Sequence, residues 1–279
     1  MRPASSGQIL NPFLDVARTL ALEAGAKIVA LRQSPLVQNR KPDHSLVTNA
    51  DHEADRIVRE GLRKAFPEHS ILTEESGLEG PVQADYLWVV DPLDGTRAYA
   101  KGVTGYSVMV GLLKDGLPHA GVVFDPLEGH LYEAVRGEGA YHTFGNIRQK
   151  ARVSSTDEIR KMPVITSTGF PKTTEDSLRQ RFSGRWIAPV NSVGVKIGYM
   201  VRGLVDIYVN HHSVHYWDTC APQIILEEAG GTITFLDGTG VNYSFEAGTY
   251  QHRGPTVATN AKCHEDILTI IRSLKPPLS

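Results

Sequence analysis

Two aspartates three positions apart, Asp91 and Asp94, close the apolar run of Trp88-Val-Val-Asp-Pro-Leu-Asp-Gly-Thr96. Carboxylates converging on one point repel each other and ordinarily need a cation between them. Hard oxygen ligands of this kind suit Mg2+ or Mn2+. Pro92 stiffens the turn, and Gly95 lets the backbone come close to a ligand. Taken alone, the block is equally an Asp-Pro and an Asp-Gly turn. Further acids stand elsewhere in the chain. Glu74 and Glu75 follow the strand-like run before Leu72-Thr-Glu-Glu-Ser76, where adjacent acids are ordinarily a solvated surface. Asp218, in Tyr216-Trp-Asp-Thr-Cys-Ala221, sits where a helix cap belongs, and a capping role does not conflict with binding a cation or contacting the leaving hydroxyl. Asp51, in Ser45-Leu-Val-Thr-Asn-Ala-Asp51, falls in a first helical turn, where the helix dipole favours an acid.

These acids need elements to position them. Asn11-Pro12 predicts a helix start, and the spacing of Phe13, Ala17, Leu20, Ala24, Ile28 and Leu31 predicts a helix over 11–32, stopped by Pro35. A second helix starts around 49–51, buries Ala54, Ile57, Val58, Leu62 and Ala65, and stops before Pro67. Strands are expected at 70–73, 86–90, 106–113, 120–124 and 131–135, the middle pair forming a hairpin around Lys114-Asp115-Gly116. Beyond that, strands are expected at 162–166, 204–209, 232–235 and 256–258, and helices at 193–201, 219–229 and 263–274. The first helix of that set stops at Arg202-Gly203, the second at Gly230-Gly231. Residues 1–155 thus form an α+β half with an antiparallel-rich sheet and most of the acidic motifs. Residues 156–279 form an α/β half that completes the site, the two acting as one layered unit.

Composition narrows the chemistry. The chain has 279 residues, 41% hydrophobic and 22% charged, with a formal net charge of -2. That is ordinary for a globular protein and argues against a nucleic-acid polymer as partner, which calls for clustered Lys and Arg. A near-neutral protein can still bind a polyanion when cations supply the positive charge. Cys220 and Cys263 are too few for a disulfide framework. Met1–Leu10 carries no apolar stretch of a secretory signal, and no apolar run reaches the roughly 18 residues that span a bilayer. A cytoplasmic protein with no membrane association is the expectation. No Gly-x-Ser-x-Gly elbow, phosphate-binding Walker loop or dinucleotide fingerprint is present.

The ordered set Asp51, Glu74-Glu75, Asp91-Pro-Leu-Asp-Gly-Thr96, Trp217-Asp218 and Gly230-Gly231 resembles the inositol monophosphatase superfamily of metal-dependent phosphatases, over about Ala17 to residue 260. The resemblance implies a layered αβαβα sandwich and an enzyme that hydrolyses phosphate monoesters with two or three Mg2+ ions, for which Mn2+ can substitute. It implies that Glu74, Asp91 and the carbonyl of Leu93 hold one metal, and that Asp91, Asp94 and Asp218 hold a second. Glu74 would serve again at a third, weaker site. It assigns Asp51 and Thr96 to orient and deprotonate the attacking water, and the amides of Gly95 and Thr96 to grip phosphate oxygens. A homodimer and lithium inhibition are implied in the same way.

Local features bear on the substrate, a small phosphorylated metabolite. Trp217-Asp-Thr-Cys-Ala-Pro222 and Thr96-Arg-Ala-Tyr-Ala-Lys-Gly102 are more similar to 3'(2'),5'-bisphosphate nucleotidases than to inositol enzymes. In Ser192-Val-Gly-Val-Lys196, Lys196 is placed to meet a second phosphate, with Ser192 and Gly194 beside it; otherwise it is a solvated helix lysine. Where inositol enzymes carry an acid for ring hydroxyls, this chain has Asn210, then His211 and His212. His211, His212 and His215 lack the Cys/His spacing of a structural zinc site and are expected at the substrate mouth or in water. The leading reading is a Mg2+-dependent nucleotidase acting on adenosine 3',5'-bisphosphate. The alternatives are an inositol-1-monophosphatase or broad sugar-phosphate phosphatase and, in another class, an inactive metal-binding scaffold.

Overall fold

The computed structural model describes residues 11–33, 37–41, 45–245, 249–274 and 278. Helix α1 (Pro12–Leu31) begins at its expected cap, with Asn11 Oδ1 accepting from the amides of Phe13 and Leu14. Pro35, read as its stop, lies outside the described residues. A short ribbon of β1 (Gln38–Arg40) and β2 (Leu46–Thr48) leads into α2 (Asn49–Ala65). A capping box starts α2: the Thr48 hydroxyl accepts from Ala50 N, and the Asp51 carboxylate accepts from Thr48 N.

Then come β3 (Ser70–Thr73), β4 (Gly77–Glu79), β5 (Tyr86–Asp94) and the short helix α3 (Thr96–Lys101). A meander follows: β6 (Ser107–Lys114), β7 (Leu117–Asp125), β8 (His130–Val135), β9 (Gly139–Phe144) and β10 (Ile147–Lys150). These strands make an eight-stranded sheet in the order β10-β9-β8-β7-β6-β5-β3-β4, parallel only between β3 and β5. Lys114 pairs with Leu117, so the β6–β7 loop is Asp115-Gly116, with φ of 51° and 75°. Two left-handed residues in a two-residue hairpin loop explain the Asp-Gly sequence.

The rest of the chain supplies β11 (Val164–Thr166), α4 (Lys172–Arg181), α5 (Val193–Met200), β12 (Ile207–Asn210), α6 (Cys220–Glu228), β13 (Thr232–Phe235), β14 (Thr256–Thr259) and α7 (His264–Arg272). Its four-stranded sheet runs β11-β12-β14-β13. The expected strands at 162–166 and 204–209 are shorter or shifted, and β1, β2, β4, β9, β10, α3 and α4 were not anticipated.

Alternation along the strands sorts the apolar side chains into three buried groups. On one face of the large sheet, Trp88, Val90, Val108 and Val110 pack under Ala21, Ile28, Val58 and Leu62 of α1 and α2. On the other face, Val89, Met109 and Val123 meet Ile197, Ile224 and Ile225 of α5 and α6, which also cover Ile165, Tyr208 and Ala258 of the small sheet. The outer face of that sheet, with Val164, Ile207 and Val257, is closed by Leu178 of α4 and Ile267, Leu268 and Ile271 of α7. The layers therefore run α, β, α, β, α. Among the described residues, no helix is long and apolar enough to cross a membrane.

Two glycines set how close α6 lies to the large sheet. A Cβ on Gly111 would meet Cys220 Sγ at 2.6 Å, and one on Gly121 would meet the Cα and carbonyl oxygen of Ala221 at 2.9 Å. Backbone cannot yield as a side-chain tip can. Gly121→Ala should therefore destabilise by roughly 1–3 kcal/mol, the range of core overpacking. Thermal denaturation checks this; an unchanged melting temperature counts against so tight a seat.

Candidate metal centre and active site

Residues three apart on a regular strand emerge on opposite faces. Asp91 and Asp94 do not, because β5 bulges between them: Asp91 pairs with Met109 and Asp94 with Ser107, so two residues of β5 stand against one of β6. Met109 and Ser107 are two apart and share a face, and their partners follow. Pro92 has no N–H to donate, which suits a residue lifted out of the ladder. The bulge thereby turns Asp91 and Asp94 the same way.

Asp218 reaches them from the start of α6. One carboxylate oxygen each of Asp91, Asp94 and Asp218 lie within 4.8 Å of one another. Each carboxylate also accepts hydrogen bonds that fix it in place. Asp94 Oδ2 accepts from Ser192 Oγ at 2.6 Å and from Gly194 N at 3.0 Å. Asp91 Oδ1 accepts from Leu93 N at 3.0 Å, and Asp218 Oδ2 from His215 N at 2.6 Å. Ser192 caps α5 through Val195 N and also meets Ser107 Oγ at 2.9 Å. Burial, then the charges of Glu74, Asp94 and Asp218, raises Asp91 well above the ordinary carboxylate range. Burial, then Asp94 and Glu74, does the same to Asp218. Asp94 is raised by burial, against the pull of the Ser192 hydrogen bond and the Lys196 charge.

Thr96 Oγ1 donates to Asp51 Oδ1 at 2.8 Å and lies 3.1 Å from the carbonyl oxygen of Leu93. Asp51 Oδ2 accepts from Thr48 N at 2.8 Å and Thr48 Oγ1 at 2.6 Å. Asp51 is thus enclosed, and Thr96 stands in front of it. Its carboxyl is raised by burial, partly offset by the bonds from Thr48 and Thr96. Gly95 holds φ at 93°, where a Cβ would meet the carbonyl oxygen of Gly105 at 2.6 Å. Glu74 faces the aspartates, but its Oε1 lies 2.8 Å from Lys41 Nζ, which is 2.6 Å from Glu75 Oε1. Burial pushes the Glu75 carboxyl up to about 7, despite the bond from Lys41.

Beside Asp94 and Asp218 opens a cleft of about 240 Å3, walled by Lys196, Tyr208, Ser167, Thr168, His212 and His215. Lys196 is not solvated: it is 1% exposed. Two of its three donors go to the carbonyls of Asn191 and Ser192, at 2.9 and 3.1 Å. Burial lowers it to about 8, against the charges of Asp94 and Asp218. His212 and His215 line the cleft, while His211 Nδ1 sits 2.7 Å from Ser167 Oγ. Asn210 ends β12 with its amide donating to the carbonyl of His212. Thr48, Lys41 and Ser107 were not anticipated. The Thr48-x-x-Asp51 capping box signals Thr48; nothing local signals Lys41.

The donor set fits a hard divalent cation: three buried or half-buried carboxylates, each raised first by burial, facing one point. A layered sandwich with an all-carboxylate centre at a strand bulge defines a class of metal-dependent hydrolases. The sequence profile of the inositol monophosphatase family matches residues 9–275, and the chain belongs to that family. It is thus a phosphomonoester hydrolase. It is 34% identical over 240 residues to the Nus factor SuhB of Pasteurella multocida, covering 82% of this chain and 87% of that one. It is 34% identical over 234 residues to the histidinol-phosphatase of Mycobacterium tuberculosis, covering 82% and 85%. The solved inositol monophosphatase of Anabaena superposes with a TM-score of 0.78 at 32% identity, covering 97% of this chain and 99% of that one.

Proposed function

We propose that this enzyme hydrolyses small phosphate monoesters with Mg2+ as its resident cation, Mn2+ being an acceptable substitute. The convergence of Asp91, Asp94 and Asp218 within 4.8 Å carries the reading. A bound cation at such a site neutralises phosphate charge and lowers the pKa of water. Asp91, Asp94 and Asp218 would hold it, with Glu74 and the carbonyl of Leu93 extending the donor set toward a second ion. Thr96 would orient the attacking water and take its proton as the Thr96 hydroxyl passes its own to the Asp51 carboxylate, 2.8 Å away. Gly95 and Thr96 offer backbone amides to the phosphate.

For the substrate we favour a 3'(2'),5'-bisphosphonucleotide. Lys196 supports this, because its ammonium, bonded to two carbonyls and lying 5.2 Å over the Tyr208 ring, borders a cleft that runs from Asp218. The relatives support the second reading, a monophosphate of an inositol, sugar or amino alcohol. One is named a histidinol-phosphatase, and the solved structure is an inositol monophosphatase. Release of phosphate from adenosine 3',5'-bisphosphate, inositol 1-phosphate and histidinol phosphate, with Mg2+ and with chelator, separates these readings. Turnover in chelator would sink the metal role, and faster turnover of a monophosphate would sink the nucleotide preference. Lys196→Ala should cut kcat/KM for the bisphosphate by roughly 10–100-fold, the worth of a charge-assisted hydrogen bond. Losses of equal size on every substrate would leave Lys196 no part in recognition.

A further inference from the structure

Glu74 is drawn in two directions. Among neighbouring charges it is the first to raise Asp91. Yet its Oε1 pairs with Lys41 Nζ at 2.8 Å, and Glu74 stays outside the group of carboxylates that meet within 4.8 Å. Lys41 is no loosely solvated lysine: its side chain is 19% exposed, and that of its other partner, Glu75, 4%. It extends the ribbon of β1 and β2, its amide donating to Ser45 O at 2.9 Å. The return strand, β2, runs directly into Thr48 and Asp51. The ammonium is thus delivered by the same element that begins the catalytic helix.

An ammonium and a divalent cation compete for one carboxylate, because they repel at a separation of a few ångströms and claim the same oxygens. We propose that Lys41 is a built-in competitor for the cation at Glu74. It holds Glu74 on Glu75's side until a cation draws it toward Asp91, and so sets the cation concentration at which that side of the centre fills. The inference rests on the reading of Glu74 as a cation ligand. The Asp94–Asp218 side is held by Ser192, Gly194 and His215, outside the contacts of Lys41.

A merely structural Lys41, clamping the Glu74-Glu75 turn, predicts the opposite sign, since its loss would loosen Glu74 and weaken cation binding. Isothermal titration of MgCl2 into the full chain, freed of divalent ions, distinguishes the two without any turnover. Lys41→Met should tighten one binding step by about two- to fivefold, the worth of a partly exposed ion pair, and leave another unmoved. Lys41→Arg, which keeps the charge, should bind as wild type does. Lys41→Gln replaces the methionine variant if that fails to fold. Unchanged or weaker binding in the neutral variants, or equal tightening in the arginine variant, overturns the proposal. If the wild type binds no Mg2+, the cation reading of the centre falls first and the competitor role with it.

Discussion

Asp91→Asn should abolish phosphatase activity, by at least about a thousandfold, and make the metal-free protein harder to melt. The first effect follows from removing a central donor of the proposed cation site. The second follows from repulsion: Asp91 is buried among Glu74, Asp94 and Asp218, and a neutral amide of the same shape relieves that crowding. Leu93 N keeps an acceptor, since the amide oxygen can replace Oδ1. The gain has a definite pH dependence. A carboxyl whose folded pKa lies above its unfolded value stabilises the fold below the unfolded value, and loses that contribution as pH rises through the folded one. The advantage of the Asp91→Asn variant in chelator should therefore be small below the ordinary carboxylate range and grow as pH climbs above it. Melting curves of the metal-free protein at about pH 3 and about pH 8, flanking that range, check it. A variant that melts lower than wild type at both pH values would remove the argument from repulsion. Added Mg2+ should reverse the order, by stabilising wild type alone.

Glu133→Ala should be the most damaging change away from the site. Glu133 is fully buried on β8 and accepts from Arg18 Nε of α1 at 2.6 Å and from Arg148 Nε of β10 at 2.8 Å. Deleting the anion leaves two guanidinium groups facing a cavity. Breaking a buried pair this way costs about 3–5 kcal/mol, though the partial exposure of both arginines favours the lower end. At roughly 2–4 °C per kcal/mol for a chain of this size class, the melting temperature should fall by about 10 °C. Glu133→Gln keeps the acceptor and should cost less. A loss under about 1 kcal/mol for the alanine variant, typical of exposed pairs, would show that water already screens this triad.

Helices with an apolar stripe were legible from their residues. So was the Asp115-Gly116 hairpin, because only a few residue types tolerate two left-handed positions in succession. What escaped has physical reasons. Only Thr174 and Leu178 of α4 are buried, too few to show a period, and α3 has six residues. β10 is exposed throughout and β9 is half covered, so neither shows a clear apolar alternation. At the site, the acids were legible by type and order, but their convergence depends on a bulge that no spacing rule announces. Lys196 was open to reading as a solvated lysine, although Val193, Val195 and Ile197 around it make α5 apolar on nearly every side. Lys41 finds its partners 33 and 34 positions away, beyond any local pattern.

The irregularity in β5 makes the centre sensitive to arithmetic. Substituting Pro92 or Leu93 alters local stiffness by degrees, whereas flattening the bulge with both residues kept would leave the two aspartates three apart on a regular strand and send one of the two carboxylates through the sheet to the α1 and α2 side. No intermediate exists between these outcomes, because a side chain emerges above a strand or below it. The side of the sheet on which the two acids meet therefore hangs on a single unpaired position, two residues of β5 facing one of β6.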